Sequence, residues 1–492
     1  MSDMSRRDLL AGTAVVAAGT AGVAGLQRPH PHQRAGRGPN WDSLGRRLQG
    51  RLLRPGEPGY AAASVPYNRR YAGIRPGGVA VCADTADVQT ALAWARAYDV
   101  PFAARSGGHS YAGYSASRGL VISLARMRSI RVDKRALTIT LGAGMRNRDL
   151  YAGLAGTGVA VPSGRCPTVG VSGLLLGGGF GFSSRHLGLT CDRLLETEIV
   201  TASGEVLRAG PTQYPDLFWA CQGGGGGNFG INTRYTLRAS PVGRVAVYKL
   251  AWPWRQAAAA VAAMTDMLAT APDRLSCRIG LGVTGGGPAT GGTAHRSVDA
   301  LGLFFGPVEQ LAELLSPVFT AVWPTERVLK EQPYLAAQAT LAHNVPSGSF
   351  ESKSRFLDQV ADPDTAVSWL ERWPGSSNPD GAGVTHFAWG GAIGQVDPAA
   401  TAFAHRTQAF LMDNETTWTD RDSPRVVAAG LDWVAGMYEA LAPRGQAYQN
   451  FMDRSLGQWP AAYYGQNLPR LMAVKRRYDP DRVFTFPQAI PG

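Results

Sequence analysis

Cysteine is scarce in this chain. Five cysteines among 492 residues are too few and too widely spaced for a disulfide scaffold, and no CxxC pair offers a zinc site. No metal is therefore expected. Charge is modest as well: 17% charged residues beside 45% apolar ones exclude a disordered chain and describe an ordinary globular protein. No apolar run makes a comfortable membrane span, because Ala11–Leu26 is short and rich in Gly and Thr. No internal repeat is visible. Arginines are scattered and no nucleic-acid-binding motif accompanies them, so no nucleic-acid partner is expected. A Rossmann unit is also missing. Gly225–Gly230 has the letters GxGxxG, but a strand-like run follows where a helix is required.

What is plentiful is glycine, 61 residues, concentrated in a few loops. The length exceeds what one compact core usually holds, so two domains are expected. The net charge of +12 suits an extracellular basic protein or one drawn to anionic surfaces. At the start, Ser5-Arg-Arg-Asp-Leu-Leu10 precedes the weakly apolar Ala11–Leu26. This reads as a twin-arginine export signal, cut between Ala24 and Ala35, with no stable membrane anchor left after cleavage.

Two loops organise the rest. Arg105-Ser-Gly-Gly-His-Ser-Tyr111 and Gly164-Arg-Cys-Pro-Thr-Val-Gly-Val171 each join a nucleophile, His109 or Cys166, to a run of small residues. Glycine lets backbone approach a flat or phosphorylated ligand closely, and successive N–H groups make a concavity for phosphate oxygens. Imidazole and thiolate can attack an electrophilic ring.

Hydrophobic patterning places strands at Gly78–Cys82, Pro101–Ala104, Leu120–Leu124, Leu137–Leu141, Glu196–Ala202 and Ile231–Leu237. Thr85 is expected to cap a helix bearing Val88, Ala91, Leu92 and Ala95 on one face. From Val242 the texture changes. Strands are expected at Val245–Trp252, Cys277–Val283 and Ala300–Phe305, with helices at Ala257–Ala269, Val308–Leu315, Ala366–Trp373 and Leu431–Leu441. Gly285–Gly292 and Ser376–Gly383 read as surface loops. The whole is α+β, with a second-domain sheet backed by helices.

The segments RSGGHSYAGYS, GRCPTVGVSGLLLGGGFGFSSRHLG and DLFWACQGGGGGNFGI, with a C-terminal AYQNFMD, resemble the berberine bridge enzyme-like branch of the vanillyl-alcohol oxidase family. These flavoenzymes have a discontinuous PCMH-type FAD-binding domain and an α/β substrate domain. With the signal and linker over 1–35, the resemblance implies FAD-binding residues 40–241, a substrate domain over 242–430, and a segment 431–492 that completes the FAD domain. It implies FAD bonded covalently through both His109 and Cys166. Arg105, Ser106, Gly107, Gly108 and Ser110 would contact the cofactor through N–H and hydroxyl donors. Val171, Gly173 and Ile231 would meet the ring or the adenine half, and Val169 would govern access of O2 to the reduced flavin.

In alcohol-oxidising members the first tyrosine of the AYxNYxD segment is the base, here Tyr448. This chain departs from the pattern twice: the second tyrosine is Phe451, and Trp389 stands before Gly390-Gly391, where some relatives carry a polar or phenolic group. Trp389 could stack on a sugar or aromatic ring, and His386 is a polar group nearby. The resemblance implies a secreted oxidase that takes hydride from an alcohol, a carbohydrate or glycosylated metabolite, and reduces O2 to H2O2. Oxidative ring closure of an alkaloid- or polyketide-like substrate stays open, as does a flavin-binding protein without turnover.

Overall fold

Three large sheets, a two-stranded pair (Val159–Ala160 with Ser240–Pro241) and their connecting helices carry the chain, in a computed structural model that describes residues 38–492. The signal and linker expected over 1–35 lie outside the described residues. The first sheet has four strands in the order Arg51–Leu53, Gly78–Val81, Leu120–Ser123, Phe102–Arg105. Its last three strands run parallel. The crossover is the helix Thr85–Ala97, whose Val88, Ala91, Leu92 and Ala95 are buried as the periodicity predicts. Its cap is Asp84, not Thr85: the Asp84 carboxylate accepts from the Asp87 N–H, while the Thr85 hydroxyl donates to Glu198. The second sheet is five-stranded and antiparallel, with Ile231–Arg238 at its centre.

The third sheet has seven antiparallel strands, in the order Glu326–Pro333, Arg244–Trp252, Gly291–Phe304, Arg278–Gly287, Ala382–Ala388, Phe410–Trp418, Ser349–Leu357. One face packs on the helices Ala257–Thr270, Val308–Ala321, Pro363–Glu371 and Pro424–Leu441 through residues such as Ile279, Leu281, Val298 and Met412. The expected loop 285–292 is instead a hairpin tip: Gly285 pairs with Ala294 and Gly287 with Gly291. In the other expected loop, Ser376 and Asn378 are buried and Ala382 already belongs to a strand. None of the five cysteines is paired. Among the described residues no helix is long and apolar enough to cross a membrane.

The C-terminal residues rejoin the N-terminal core. Tyr463, Tyr464, Leu471, Val474, Phe484 and Ile490 share one apolar cluster with Ile122, Leu176, Phe229 and Ile231. A buried charge pins this return. Lys475 Nζ donates to Asp479 Oδ2, Asn228 O and Phe484 O, each at 2.6 Å, so all three ammonium protons have acceptors. Asp479 also accepts from the N–H groups of Val483 and Phe484. Lys475→Met would leave Asp479 buried without its counter-charge, a change that typically costs about 3–5 kcal/mol. Urea unfolding of the purified protein checks this; a loss well under 1 kcal/mol would show that the pair does not pin the fold.

Candidate active site

The glycine loops meet backbone to backbone. A methyl group on Gly107 would lie 2.2 Å from Gly170 N, and one on Gly170 would lie 2.3 Å from Gly107 N. Only glycine permits that approach. Ser106 Oγ donates to Ala143 O at 2.6 Å, and Gly108 adopts a positive φ of 76°. The contact draws the two nucleophiles toward one end of a cavity of about 810 Å³. His109 Nε2 lies 2.9 Å from Thr168 Oγ1 on the neighbouring loop. Its ring stacks on Tyr67 at 3.6 Å. Burial, helped by the charge of Arg146, pushes His109 down to about 3, so its imidazole stays neutral and keeps a nucleophilic lone pair. Cys166 Sγ lies 3.7 Å from His343 Nδ1. Burial raises the thiol, and the Arg165 charge partly offsets this.

The remaining candidate cofactor contacts divide. Ser110, Val169, Gly173 and Ile231 line the cavity, and a methyl group on Gly173 would meet nothing within 4 Å. Arg105 also borders it, but its guanidinium is turned inward and donates to the carbonyls of Ala63, Ser64 and Ser115, leaving only its backbone. Val171 sits in the core instead, and its N–H is committed to Met145 O at 2.9 Å. The cavity is of cofactor size, its backbone walls suit a flat ring and phosphates, and two nucleophiles share one end. These residues fit FAD.

The opposite wall is the open face of the seven-stranded sheet. Side chains alternate along a strand, so Arg278, Thr385, Phe387, Asp413 and Glu415 face the cavity, while their neighbours face the helices. Gly282 and Gly383 form the floor between them, while the Arg278 guanidinium lies over Gly280; glycine within a strand marks close approach of another group. Asp413 accepts from Ser352 Oγ. Burial pushes Asp413 up to about 6, burial and then the neighbouring Asp413 charge push Glu415 up to about 8, and Arg165 pulls both back. Tyr111 stacks on Phe451 at 4.9 Å, giving the cavity an aromatic wall.

Tyr448 borders the cavity within a ring of Phe180, Phe356, Phe403 and Phe451. Its oxygen accepts from Gly179 N at 3.1 Å and from Asn450 Nδ2 at 3.0 Å. Burial nonetheless holds the phenol well above its ordinary pKa. Trp389 is unavailable for stacking on a ligand: it is buried among Phe180, Phe356 and Phe403, and its indole N–H donates to His405 O. His386 belongs to the helix-facing side, between Ile279 and Met412 in register. Sequence reasoning passed over Asp413, Glu415, Arg165, Arg278, Tyr67 and His343. The Asp-Asn-Glu spacing in Phe410–Trp418 was the available signal, since residues two apart share a strand face.

Residues 76–210 match the family model of the FAD binding domain, and residues 447–491 match that of berberine and berberine-like proteins. Fold, cavity and matches together define an FAD-linked oxidoreductase. The FAD-linked oxidoreductase YgaK of Bacillus subtilis is 33% identical over 458 residues, covering 90% of this chain and 97% of that protein. YvdP of the same organism is 32% identical over 451 residues, covering 90% and 98%. This chain belongs to the berberine bridge enzyme-like family of FAD-linked oxidases. Among solved structures, Physcomitrella patens BBE-like 1 superposes with a TM-score of 0.81 at 28% identity, covering 92% of this chain and 98% of that one. A carbohydrate oxidase from Microdochium nivale, in complex with a substrate analogue, gives 0.78 at 25% identity, covering 92% and 99%.

Since the two loops can touch only as glycines, Gly107→Ala should push them apart and sharply lower bound flavin. The ratio of flavin to protein absorbance in the purified variant reads this directly; full flavin content would show that the loop contact is dispensable.

Proposed function

We propose that this protein is an exported oxidase that oxidises an alcohol, a carbohydrate or glycosylated metabolite, using FAD bonded through both His109 and Cys166. The observation that carries this reading is the pairing of one cavity end holding two nucleophiles with a polar sheet face built of carboxylates, arginines and glycines. FAD, when bound, supplies the hydride acceptor and passes the electrons to O2, giving H2O2. The protein holds the cofactor through the 105–110 and 164–173 loops and Ile231. The glycine floor admits the substrate ring, and the Tyr111–Phe451 wall offers it an apolar face. The carbohydrate oxidase from Microdochium nivale shares this fold at 25% identity, which supports a sugar-like substrate. The arginine pair ahead of Ala11–Leu26 supports export by the twin-arginine route, with cofactor bound before crossing.

Mass spectrometry of flavin-bearing peptides tests the attachment. Peptides containing His109 and Cys166 should both carry the cofactor, and His109→Ala or Cys166→Ala should each leave one bond. A free Cys166 thiol in the flavin-loaded enzyme rules out the double linkage.

Tyr448 is the proposed acceptor of the hydroxyl proton. Two N–H donors on its oxygen favour the phenolate, in opposition to burial. A second reading rests on the carboxylates: Asp413 and Glu415 face the cavity, and burial holds both above the usual carboxylate range. The pH profile separates the two, because a base acts only when deprotonated. Reduction of the flavin by substrate should fall as pH drops through the range from about 8 to about 6 if the carboxylates serve. It should keep rising into the alkaline range if Tyr448 serves. Anaerobic stopped-flow on Tyr448→Phe and Asp413→Asn completes the test: loss of the base should cost roughly 10²–10⁴-fold. A Tyr448→Phe enzyme reducing at nearly the parent rate moves the role to the carboxylates.

A further inference from the structure

Beside the main cavity, and sharing Arg165, Arg278 and His343 with it, lies a smaller pocket of about 210 Å³. Its other lining residues are Lys249, Leu301 and the segment 340–342. Three permanent cations converge there, and the lining contains no carboxylate. Arg278 alone has a charged partner, Asp299, through one Nη, and it donates to Thr385 through the other; its buried Nε has no acceptor. Arg165 lies over the Phe387 ring at 5.8 Å. Among the described residues its guanidinium makes neither a hydrogen bond nor an ion pair, and Lys249 likewise has no carboxylate within reach. The acids whose charges reach Arg165 across the main cavity, Asp299, Asp413 and Glu415, form no ion pair with it among the described residues. Like charges brought together oppose one another: the Arg278 charge works against that of Arg165, and both work against protonation of His343.

We infer that this side pocket is a subsite for an anionic oxygen group carried by the substrate, which makes the preferred substrate an acidic carbohydrate, a uronic acid or a sugar phosphate. The inference rests on the alcohol-oxidase reading for its substrate but not for its binding chemistry. Planar guanidinium groups present paired N–H donors matched to carboxylate or phosphate oxygens, and the Lys249 ammonium adds a point charge at the mouth. A substrate seated this way places its anion against Arg165 and Arg278. Its neutral hydroxyls then extend over Gly282 and Gly383 toward Asp413 and Glu415.

Calorimetric titration of the flavin-loaded enzyme at low ionic strength tests the subsite without turnover. The probes are glucuronate, glucose 6-phosphate and glucose, each also titrated against Lys249→Met. Lys249 is exposed on its strand, so this variant should fold. At least one anion should bind about tenfold or more tightly than glucose, and that preference should shrink in Lys249→Met and at high salt. Tighter binding of glucuronate points to a carboxylate, and tighter binding of the sugar phosphate to a phosphate ester. Equal affinity for glucose and both anions, no binding of either anion, or an unchanged preference in Lys249→Met overturns the subsite. A peroxide assay on the same probes keeps the two ideas apart. Anions that bind as expected while no sugar is oxidised sink the oxidase reading and leave the subsite standing. Neutral sugars oxidised as well as acidic ones do the reverse.

Discussion

Everything at the candidate site depends on one close approach, that of the Gly107 backbone to the Gly170 backbone. His109 leaves a strand of the first sheet, while Cys166 lies on a loop that runs into a short helix. Nothing in their own elements would bring them together. The contact does so, and the His109–Thr168 hydrogen bond and the Tyr67 stack then set the imidazole. The cost of adding a single methyl group there is geometric, because both partners are backbone and neither can rotate away.

The seven-stranded sheet solves a different problem. A sheet face that must admit a polar ligand cannot be filled with side chains, yet bare backbone gives no recognition. Here the two needs are met by alternation: glycines at 282 and 383 clear space, and charged groups on flanking positions ring it. Arg165, offered from the cofactor side, reaches into the same space. It tempers the raised Asp413 and Glu415, so a loop cation and the acids of the sheet share one electrostatic environment.

The N-terminal region was largely legible from sequence. Its strands and the Thr85–Ala97 helix have apolar periodicity, and its nucleophile loops have composition that stands out. The strands Ser349–Leu357, Ala382–Ala388 and Phe410–Trp418 were not legible, and the reason is physical. Ser349–Leu357 buries Lys353 and Arg355, and a buried charge reads as a surface residue unless its partner is known. Lys353 is neutralised by Asp453, exactly one hundred positions later in number but adjacent in space. Asp413 and Glu415 looked like solvated acids for the same reason. Trp389 and His386 misled in the opposite sense: polar or aromatic letters near a Gly-Gly pair suggested a site, but strand phase turned His386 away and an aromatic cluster enclosed Trp389.

The Lys475 knot has a consequence for how the enzyme comes into being. Its ammonium holds the carbonyl of Asn228, 247 positions earlier, and Ile490 N–H donates to the Asn228 side chain at 2.9 Å. Residues 483–487 also line the cofactor cavity. The cradle is therefore unfinished while these residues are still being synthesised, however early the His109 and Cys166 loops form. Capture of the cofactor therefore waits until residues 483–487 have been made and have folded back onto the core that carries both nucleophile loops.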